Sequence, residues 1–529
     1  MKKGLVIALV IACWAARGQQ TLDTATVKAR RVIVTPRIDG FSFDARQARP
    51  AAGETATDLL SRLPGVQIDQ QGSPIIRGSG QIKLFIDGRP AESYASTVAE
   101  ALRLISADNI ARVEVITHPS ARYDAEGVDA VINIFTKKQL TDGVSGSANA
   151  QIANRTTEYQ VRAAWRKHHW MVNTEGGRYA YHYNSYSLLN RADPGAHLLQ
   201  TQDYDERNHN EYASTTVTWT PDTLITLNLG YRYSQGHGRS LTNLDNAFSE
   251  GDTSTSAYST FTNSINQRQL HTLNWGLFGS TRNRSLKYEL MASWFGQTRA
   301  TNYTQTGNGP VQTSHNDIDN RELALQGDLT KKLGPQMTIE TGVKSTFRQF
   351  HNQNLLSPDS TRSNRFFFRR SIIAFFLSYT VDLGKWKIRL GGRYEQTHWP
   401  LHFADTALTP PDYKNFIPDL TLSYIPAPGH TLSAGYSRKL IRPYIDNLNP
   451  VVNYLDSLNI TYGNPALRPA YSDNYELNYN YRKSAWLLTT TLFLRRTSQS
   501  IENIRLLQSG GVVASTYANI AKNSILGLT

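Results

Sequence analysis

Three stretches of the sequence carry residue types that could do chemistry. Gly78 and Gly80 in Arg-Gly-Ser-Gly could cradle a phosphate, but no Lys-Ser/Thr pair follows and no helix begins there, which favours a hairpin turn between two strands. The adjacent His168 and His169 would point to opposite faces of a strand, and no third metal ligand is evident. No nucleophile, base and acid have a recognisable spacing. The sequence therefore predicts no enzyme, no metal site and no cofactor.

The N-terminus has the pattern of an export signal. Two lysines precede an apolar run that begins at Leu5, and small residues follow where a signal peptidase would cut. A short buried helix and a lipoprotein signal at Cys13 are the alternatives. We therefore predict a signal peptide over residues 1–18. Since Cys13 is the only cysteine of the chain, the mature protein would contain no disulfide.

Composition excludes several classes of protein. At 529 residues the chain is expected to form at least two structural units. Its mean hydropathy is −0.44, and no segment offers the roughly 20 apolar residues of a spanning helix. The net charge of +13 is spread along the chain without a long basic run, so no nucleic acid partner is predicted. Aromatic residues recur inside alternating segments, which is typical of β-strands.

The N-terminal part predicts a small mixed α/β domain over residues 40–138. An amphipathic helix over 57–63 ends before Pro-Gly, and a capping box of Thr97 and Glu100 opens a second helix. The segments PIIRG, IKLFIDG, IARVEVI and AVINIF predict strands. The polar residues 19–39 predict an extended linker before this domain.

The remainder, residues 144–529, alternates with period two. In LITLNLGYRY, apolar side chains such as Leu229 share one face. In KWKIRLGGRY, Leu390 lies opposite the face that carries Lys387 and Arg389. About sixteen such segments occur, separated alternately by short turns and longer polar stretches. Long strands with one apolar face behind a signal peptide predict an antiparallel transmembrane β-barrel, with its charged face toward a wet lumen.

The expected width of the barrel predicts a separate domain in its lumen. Barrels of about 22 strands are too wide for their own side chains to fill, and they are closed by a separate domain. We therefore expect the N-terminal α/β domain to plug the barrel.

Motifs in both parts resemble those of TonB-dependent outer-membrane receptors. TATDLLSRLPGVQID, IIRGSGQIKLFIDGRP and NIARVEVITHPSARYDAEGVDAVINIFTKK resemble successive hallmarks of the plug domain. SRKLIRPYIDNLNP and YGNPALRP resemble a barrel family of such receptors common in Bacteroidetes-type bacteria. The plug-motif residues are Pro64, Gly65, Arg77, Gly78, Asp87, Gly88, Pro119, Tyr123, Gly127 and Asn133. The barrel-motif residues are Arg442, Pro443, Asn449, Pro450, Gly463, Asn464 and Pro465.

The sequence departs from these relatives in two places. Asp129 and Ala130 replace two residues that are usually small, which leaves a detail of the contact between plug and barrel open. The chain ends at Thr529 inside a predicted strand. Because the resemblance implies 22 strands, we expect that C-terminal strands are absent.

The resemblance implies a receptor or transporter in the bacterial outer membrane that binds a scarce solute at its outer surface and imports it. The expected partners are a TonB-type energy-transducing protein, outer-membrane lipid and an unknown small solute: a siderophore, cobalamin, a glycan or a peptide. A structural or adhesive barrel without active transport is the alternative. A TonB box is predicted at Leu22, Asp23, Thr24, Ala25, Thr26 and Val27, with a plain linker as its alternative.

Overall fold

A computed structural model gives the structure of most of the chain. The predicted signal peptide, the predicted TonB box, Thr97 and Gly127 lie outside the described residues. The structure describes residues 34–48, 50, 54–69, 72–91, 98–126, 128–137, 142–193, 196–250, 254–307, 309–403, 406–408, 412–453, 456, 458–483, 486–508 and 512–529. None of the helices in these ranges is long and apolar enough to cross a bilayer.

The N-terminal domain contains eight strands and two α-helices among the described residues. The strands are β1 (Val34–Arg37), β2 (Gly40–Phe43), β3 (Val66–Ile68), β4 (Pro74–Ile76), β5 (Ile82–Ile86), β6 (Arg89–Pro90), β7 (Ile110–Ile116) and β8 (Ala130–Thr136). The helices are α1 (Ala56–Leu60) and α2 (Val98–Leu104), and short 3-10 turns span Ala45–Gln47 and Ala107–Asn109. Six strands form one sheet in the order β1-β2-β7-β8-β5-β6, and β3 pairs with β4 in a second sheet.

Apolar strands place the core of this domain. β7 and β8 lie in the middle of the six-stranded sheet, and Val113, Val115, Ile132 and Ile134 are fully buried there. Helix α1 packs on the same core and begins at a capping interaction, in which the Asp58 carboxylate accepts hydrogen bonds from the backbone N–H and the hydroxyl of Thr55. It is shorter than predicted. β1 also differs from expectation, because it lies within the predicted linker and yet belongs to the sheet.

The stretch 74–90 is not the single hairpin that the glycines suggested. A tight turn does follow β4, with Arg77 and Gly78 at positive φ and paired hydrogen bonds between Ile76 and Ser79. The strands on its two sides, however, join different sheets, because β4 pairs with β3 whereas β5 pairs with β6 and β8. The true hairpin joins β5 to β6 at Asp87-Gly88, where both residues have positive φ.

The rest of the chain forms the barrel wall. The described part contains sixteen strands of ten or more residues and three strands of three residues. They are β9 (Gly143–Ile152), β10 (Thr156–Lys167), β11 (Trp170–Asp193), β12 (Ala196–Trp219), β13 (Ile225–Glu250), β14 (Ser254–Ser280), β15 (Leu286–Gly307), β16 (Gly309–Lys332), β17 (Met337–Ser357), β18 (Asn364–Asp382), β19 (Trp386–His398), β20 (Leu401–Phe403), β21 (Thr406–Leu408), β22 (Tyr413–Tyr424), β23 (His430–Ile441), β24 (Asn459–Thr461), β25 (Ala470–Lys483), β26 (Trp486–Leu507) and β27 (Val513–Leu528). A 3-10 turn, Ser360–Arg362, precedes β18, and helix α3 (Ile445–Leu448) follows β23.

The long strands pair side by side in antiparallel order. Their registers run through β9–β10–β11 and onward to β26–β27, with β19 next to β22 and β23 next to β25. β24 adds a short parallel pairing to β27. The total number of strands in the complete barrel stays a prediction.

The two faces of the wall are those that alternation predicts. Leu229 is 51% exposed on the outer face, whereas its neighbours Asn228 and Arg232 on the inner face are buried. On β19, Leu390 is 60% exposed and Arg389 only 4%. The inner face is thus charged as expected, but it is not simply wet, because Arg389 is buried against the N-terminal domain.

The long polar stretches that were expected to separate the strands belong largely to the strands themselves. β14 has 27 residues, which correspond to about 90 Å, whereas a strand needs only about 9–11 residues to cross a bilayer. At the other end the turns are short, and stacked aromatic pairs Trp170–Trp219 and Trp386–Tyr424 mark a membrane interface. The polar halves of the long strands therefore project beyond the bilayer on the opposite side.

We expect Leu390→Arg to hinder insertion of the barrel. An arginine on the lipid face near the bilayer midplane costs about 2–4 kcal/mol. The matched control is Gln396→Arg, on the same face of β19 but beside Lys414, farther along the strand. Heat-modifiable mobility in lipid should reveal a loss of folded barrel for Leu390→Arg alone. Equal yields of folded barrel from both variants would contradict the assigned faces and depths.

Candidate functional site: the contact between the N-terminal domain and the barrel wall

The loop between β7 and β8, residues 117–129, carries four charged side chains in a short distance. The sequence there is Thr-His-Pro-Ser-Ala-Arg-Tyr-Asp-Ala-Glu-Gly-Val-Asp, and we call it the β7–β8 loop. Since the flanking strands are fixed in the core of the domain, the loop projects from the sheet into the lumen. Pro119 is buried there, and the Tyr123 ring packs edge-on against Phe85 at 5.7 Å.

Asp124 lies at the centre of a cluster of cations. Its carboxylate is 3.0 Å from Nζ of Lys83 in the same domain, 2.8 Å from Nζ of Lys344 on β17 and 3.6 Å from Arg393 on β19. Burial raises the pKa of Asp124, but the charges of Lys344, Lys83 and Arg393 outweigh burial and hold this pKa well below its usual range. The carboxylate therefore stays ionised and joins the domain to two strands of the wall.

Arg122 makes a second ion-paired contact with the wall. Its guanidinium lies 2.5 Å from Glu289 on β15 and 3.1 Å from Asp328 on β16. Glu289 and Asp328 face the lumen at adjacent strands. Arg122 and Asp124 thus have opposite charges and bind opposite partners on neighbouring parts of the wall.

Glu126 makes the third contact, and it connects the two motifs. Its carboxylate lies 2.8 Å from Nη1 of Arg442, a barrel-motif residue that also pairs with buried Glu395 at 2.5 Å. Beside it, the backbone N–H of Leu440 donates to the carbonyl of Ala125 at 2.9 Å. The β7–β8 loop is therefore bonded to the wall by its backbone as well as by its side chains.

The start of the loop is also bound. Arg389 donates to the carbonyl oxygen of His118 at 2.9 Å, and the backbone N–H of Ala121 donates to Asp419 at 2.9 Å. Arg77 donates to Asn478 of β25 at 3.1 Å and pairs with Glu476. These groups make polar contacts with β19 again and with two more strands, β22 and β25.

A cavity of about 120 Å³ lies beside Arg77, between the N-terminal domain and the wall. It brings together the plug-motif residues Pro64, Gly65 and Arg77 with buried His118 and Glu476. Burial lowers the pKa of His118 and outweighs the nearby Glu476 carboxylate, so the imidazole is neutral at pH 7.

Asp129, the unusual residue in the sequence, has a definite role in this contact. Its carboxylate accepts a hydrogen bond from Ser79 at 2.6 Å and lies 3.1 Å from Arg495 on β26. Asp129 thus contributes an ion pair between the domain and the wall.

The remaining plug-motif residues lie together elsewhere. The Asp87 carboxylate accepts hydrogen bonds from the backbone N–H and the hydroxyl of Thr136, and the Asn133 side chain accepts one from Gly88 N–H at 3.2 Å. These contacts fix the β5–β6 turn and do not reach the wall through any bond that the structure describes. Their role is to hold the turn against β8.

The barrel motif folds the connection between β23 and β25 back into the lumen. Gly463 N–H donates to the Asn449 carbonyl at 2.8 Å, and the Asn464 side chain donates to the Tyr517 carbonyl at 2.9 Å. A Cβ at Gly463 would lie 2.6 Å from the Asn447 carbonyl oxygen, so this position requires glycine. Pro443, Pro450 and Pro465 flank these contacts. Beneath them lies an apolar cluster of Phe350, Phe366, Phe368, Trp399, Leu401, Leu448 and Leu467.

The two histidines form the turn between β10 and β11. His168 has positive φ and its N–H donates to Asp142, while the His169 ring is 2.8 Å from the Thr220 carbonyl. In the part of the chain that the structure describes, no group of three or more metal-ligating side chains comes together. The contacts described above instead close the lumen with charge pairs.

The wall and the domain inside it define a plugged outer-membrane barrel. Residues 42–131 match the TonB-dependent receptor plug domain, and residues 278–529 match an outer membrane protein β-barrel family. The chain is therefore a TonB-dependent receptor of the bacterial outer membrane. Receptors of this kind import scarce solutes across that membrane.

Solved structures share this fold. The siderophore receptor PirA of Pseudomonas aeruginosa is similar, with a TM-score of 0.54 and 17% identity over 92% of this chain and 80% of its own. The alcaligin receptor FauA of Bordetella pertussis gives 0.53 and 14%, over 92% and 75%. The hemophore receptor HasR of Serratia marcescens gives 0.58 and 14%, over 95% and 79%. At these identities the likeness is one of fold.

We expect Asp124→Asn to loosen the plug. Loss of the carboxylate leaves Lys83, Lys344 and Arg393 facing one another. Because the Asp124 side chain is 24% exposed, we expect a cost between that of an exposed pair, about 0–1 kcal/mol, and that of a fully buried pair, about 3–5 kcal/mol. Cells that carry this variant should admit a large dye or antibiotic that wild-type cells exclude. In Asp359→Asn the same change breaks only an exposed pair with Arg362, worth about 0–1 kcal/mol, and should have no such effect.

Acid should act on the same contact. Because folding lowers the pKa of Asp124, its stabilisation is present above the ordinary aspartate pKa of about 4 and is lost as the pH falls toward the lowered value. Protease resistance of the plug in purified receptor should therefore decline in two steps as the pH falls, first below about pH 6.5, because the folded contact holds His118 neutral, and again below about pH 4, because Asp124 becomes protonated. Asp124→Asn should remove the second step and keep the first, and a second step that survives in this variant would show that another carboxylate controls docking in acid.

Proposed function

We propose that the receptor is opened by a TonB-type protein that acts on its N-terminal segment, so that a solute bound at the outer face can pass. The observation that carries this proposal is the number of charge pairs across the plug contact. Asp124, Arg122 and Glu126 are each paired with the wall. These side chains are 24–31% exposed, so each pair costs less to break than the about 3–5 kcal/mol of a fully buried pair. All of them must break together to free the loop, however, and RT is only about 0.6 kcal/mol, so thermal opening would be rare. Import then needs an outside source of energy.

The topology supports the N-terminal segment as the point where energy enters. β1 is an edge strand whose described register joins it to β2 alone, over four residue pairs. Arg37 at its end pairs with Glu114 on β7 at 2.8 Å, and β7 leads directly into the β7–β8 loop. A pull on the residues before Val34 would thus act first on β1 and then on the strand that positions the charge pairs.

Site residues follow from this proposal. Arg77 and Arg442 would close the lumen, since each bonds across the contact between plug and wall, and Tyr123 would hold the β7–β8 loop against Phe85 of the plug. Asp87, Gly88 and Asn133 would keep the plug folded while it moves. The division into a leader (1–18), a linker with a TonB box (19–39), a plug (40–138) and a barrel (144–529) is part of the same proposal.

The proposed partners have different contact surfaces. Outer-membrane lipid would cover outward side chains such as Leu229 and Leu390. The solute would enter from the side on which the polar strand ends project. Its class among siderophores, cobalamin, glycans and peptides is open at this level. We assign the receptor binding and transport, and no covalent chemistry.

A proline in the TonB box tests this proposal. Thr24→Pro with Thr26→Pro removes two backbone donors from an extended edge that must pair with a strand of the partner. The full-length double variant should insert normally but fail to retain a purified TonB C-terminal domain. Gln19→Pro with Gln20→Pro, just before the box, is the control and should retain it. Retention by the box variant would favour a plain linker or a barrel without active transport.

A further inference from the structure

A group of tyrosines lines the inner face of β11 and β12 above the plug. The inner face is identified by Tyr212 of β12, which packs into the core of the N-terminal domain. Since side chains alternate and the register between β11 and β12 has no shift, every second residue beyond Tyr212 lies on the same face. The inner-face residues of this region, which we call the tyrosine wall, are Tyr179, Tyr181, Tyr183, Tyr204, Glu206 and Asn208.

The tyrosine wall is held in place by its own hydrogen bonds. Glu206 accepts from the hydroxyl of Tyr181 at 3.2 Å and from that of Tyr204 at 3.0 Å. Asn208 donates to the Tyr181 oxygen at 3.0 Å. Ring centres of Tyr179 and Tyr181 are 5.8 Å apart, and Tyr183 lies 6.2 Å from Tyr204. The rings are therefore ordered before any ligand arrives, which lowers the entropic cost of binding.

The neighbouring strand adds no side chain of its own to this surface at two inner-face positions. β13 has glycine at 236 and 238, opposite Asn210 and Asn208. A Cβ at either glycine would lie about 3.2 Å from those asparagine side chains, so any larger residue would crowd them. The result is a shallow surface that offers aromatic faces on one side and amide groups on the other.

The tyrosine wall lies between the plug and a segment that crosses the lumen. Tyr204 lies eight residues beyond Tyr212, or about 27 Å along the tilted strand, in the direction away from the plug. Still farther out, the folded connection crosses to the same strands, because Asp456 accepts from Gln200 at 2.9 Å and Asn459 from Arg191 at 2.7 Å. Tyr183, with 48% of its surface exposed, thus lies between the plug and this crossing segment.

We propose that the tyrosine wall binds an uncharged, hydroxyl-rich solute, that is, a neutral oligosaccharide, and this inference rests on the import function proposed above. Tyrosine rings offer rigid apolar faces for the flat C–H faces of sugar rings. Glu206 and the asparagines supply acceptors and donors for hydroxyl groups. A strongly anionic ferric complex would meet the Glu206 carboxylate. Arg268, a cation on the inner face of β14, donates to Asn210 at 3.5 Å, at the edge of the surface.

Binding by purified full-length receptor tests the proposal. The probes are neutral oligosaccharides from hydrolysed plant and yeast polysaccharides and, separately, a ferric catecholate, each read by mass spectrometry of the retained material. The wild-type receptor should retain neutral oligosaccharides. Tyr181→Ala with Tyr183→Ala should weaken their binding about tenfold or more, since two stacking surfaces are lost.

The control is Tyr186→Ala, because Tyr186 lies on the outer face of the same strand and is 65% exposed. This variant should bind as wild type, and heat-modifiable mobility should confirm that all variants fold. Equal binding by the double variant and wild type would overturn the site. Retention of the ferric catecholate alone would overturn the solute class while leaving import intact. Retention of neither probe would likewise overturn the neutral oligosaccharide, whereas import itself is decided by the TonB-retention experiment.

Discussion

Asp124, Arg122 and Glu126 carry two negative charges and one positive charge along one short loop, and each is paired with the barrel wall. A charge that is removed from water is costly unless an opposite charge and hydrogen bonds compensate it. The loop can therefore occupy the lumen only where the wall presents Lys344, Glu289 and Arg442 in the matching order. This requirement fixes the height and the rotation of the plug inside the barrel, and the cavity and the folded barrel motif are placed relative to it.

The bilayer imposes the other requirement on the structure. Backbone groups have no partner in hydrocarbon, so a wall that crosses it must consist of paired strands. Where the wall faces hydrocarbon, its outer face carries a band of leucine and aromatic residues. The long ends of β11–β18 lie beyond the hydrocarbon and are polar. Because the strands stay paired beyond the membrane, those ends form rigid walls, on which ordered side chains such as Tyr181 and Glu206 can be presented.

An ion pair connects the plug motif with the barrel motif. Glu126 belongs to the plug and Arg442 to the barrel, and 316 residues separate them in the chain. Their ion pair joins the loop that would move during transport to the connection that crosses the lumen above it. Asp129 with Arg495 adds a contact of the same type at another strand. The same connection contacts Gln200 and Arg191 beyond the proposed tyrosine wall, so it touches both that region and, through Arg442, the plug.

Local pattern was enough to determine much of this protein. Alternation in KWKIRLGGRY identified Leu390 as outward and Arg389 as inward, because period two is a property of the strand itself. The strands β7 and β8 were predicted from their apolar segments, and the Asp-Gly turn from residues that tolerate positive φ. Motifs in the expected order indicated the plug and the family. The prediction of a single hairpin at the glycines of residues 74–90 was wrong, because a turn signal specifies a bend and not which strands pair across it. Only the tertiary structure decided that pairing, the partners of Asp124, and the position of the tyrosines above the plug. Those depend on contacts between residues hundreds of positions apart, which are set by packing and charge compensation rather than by neighbours in the sequence.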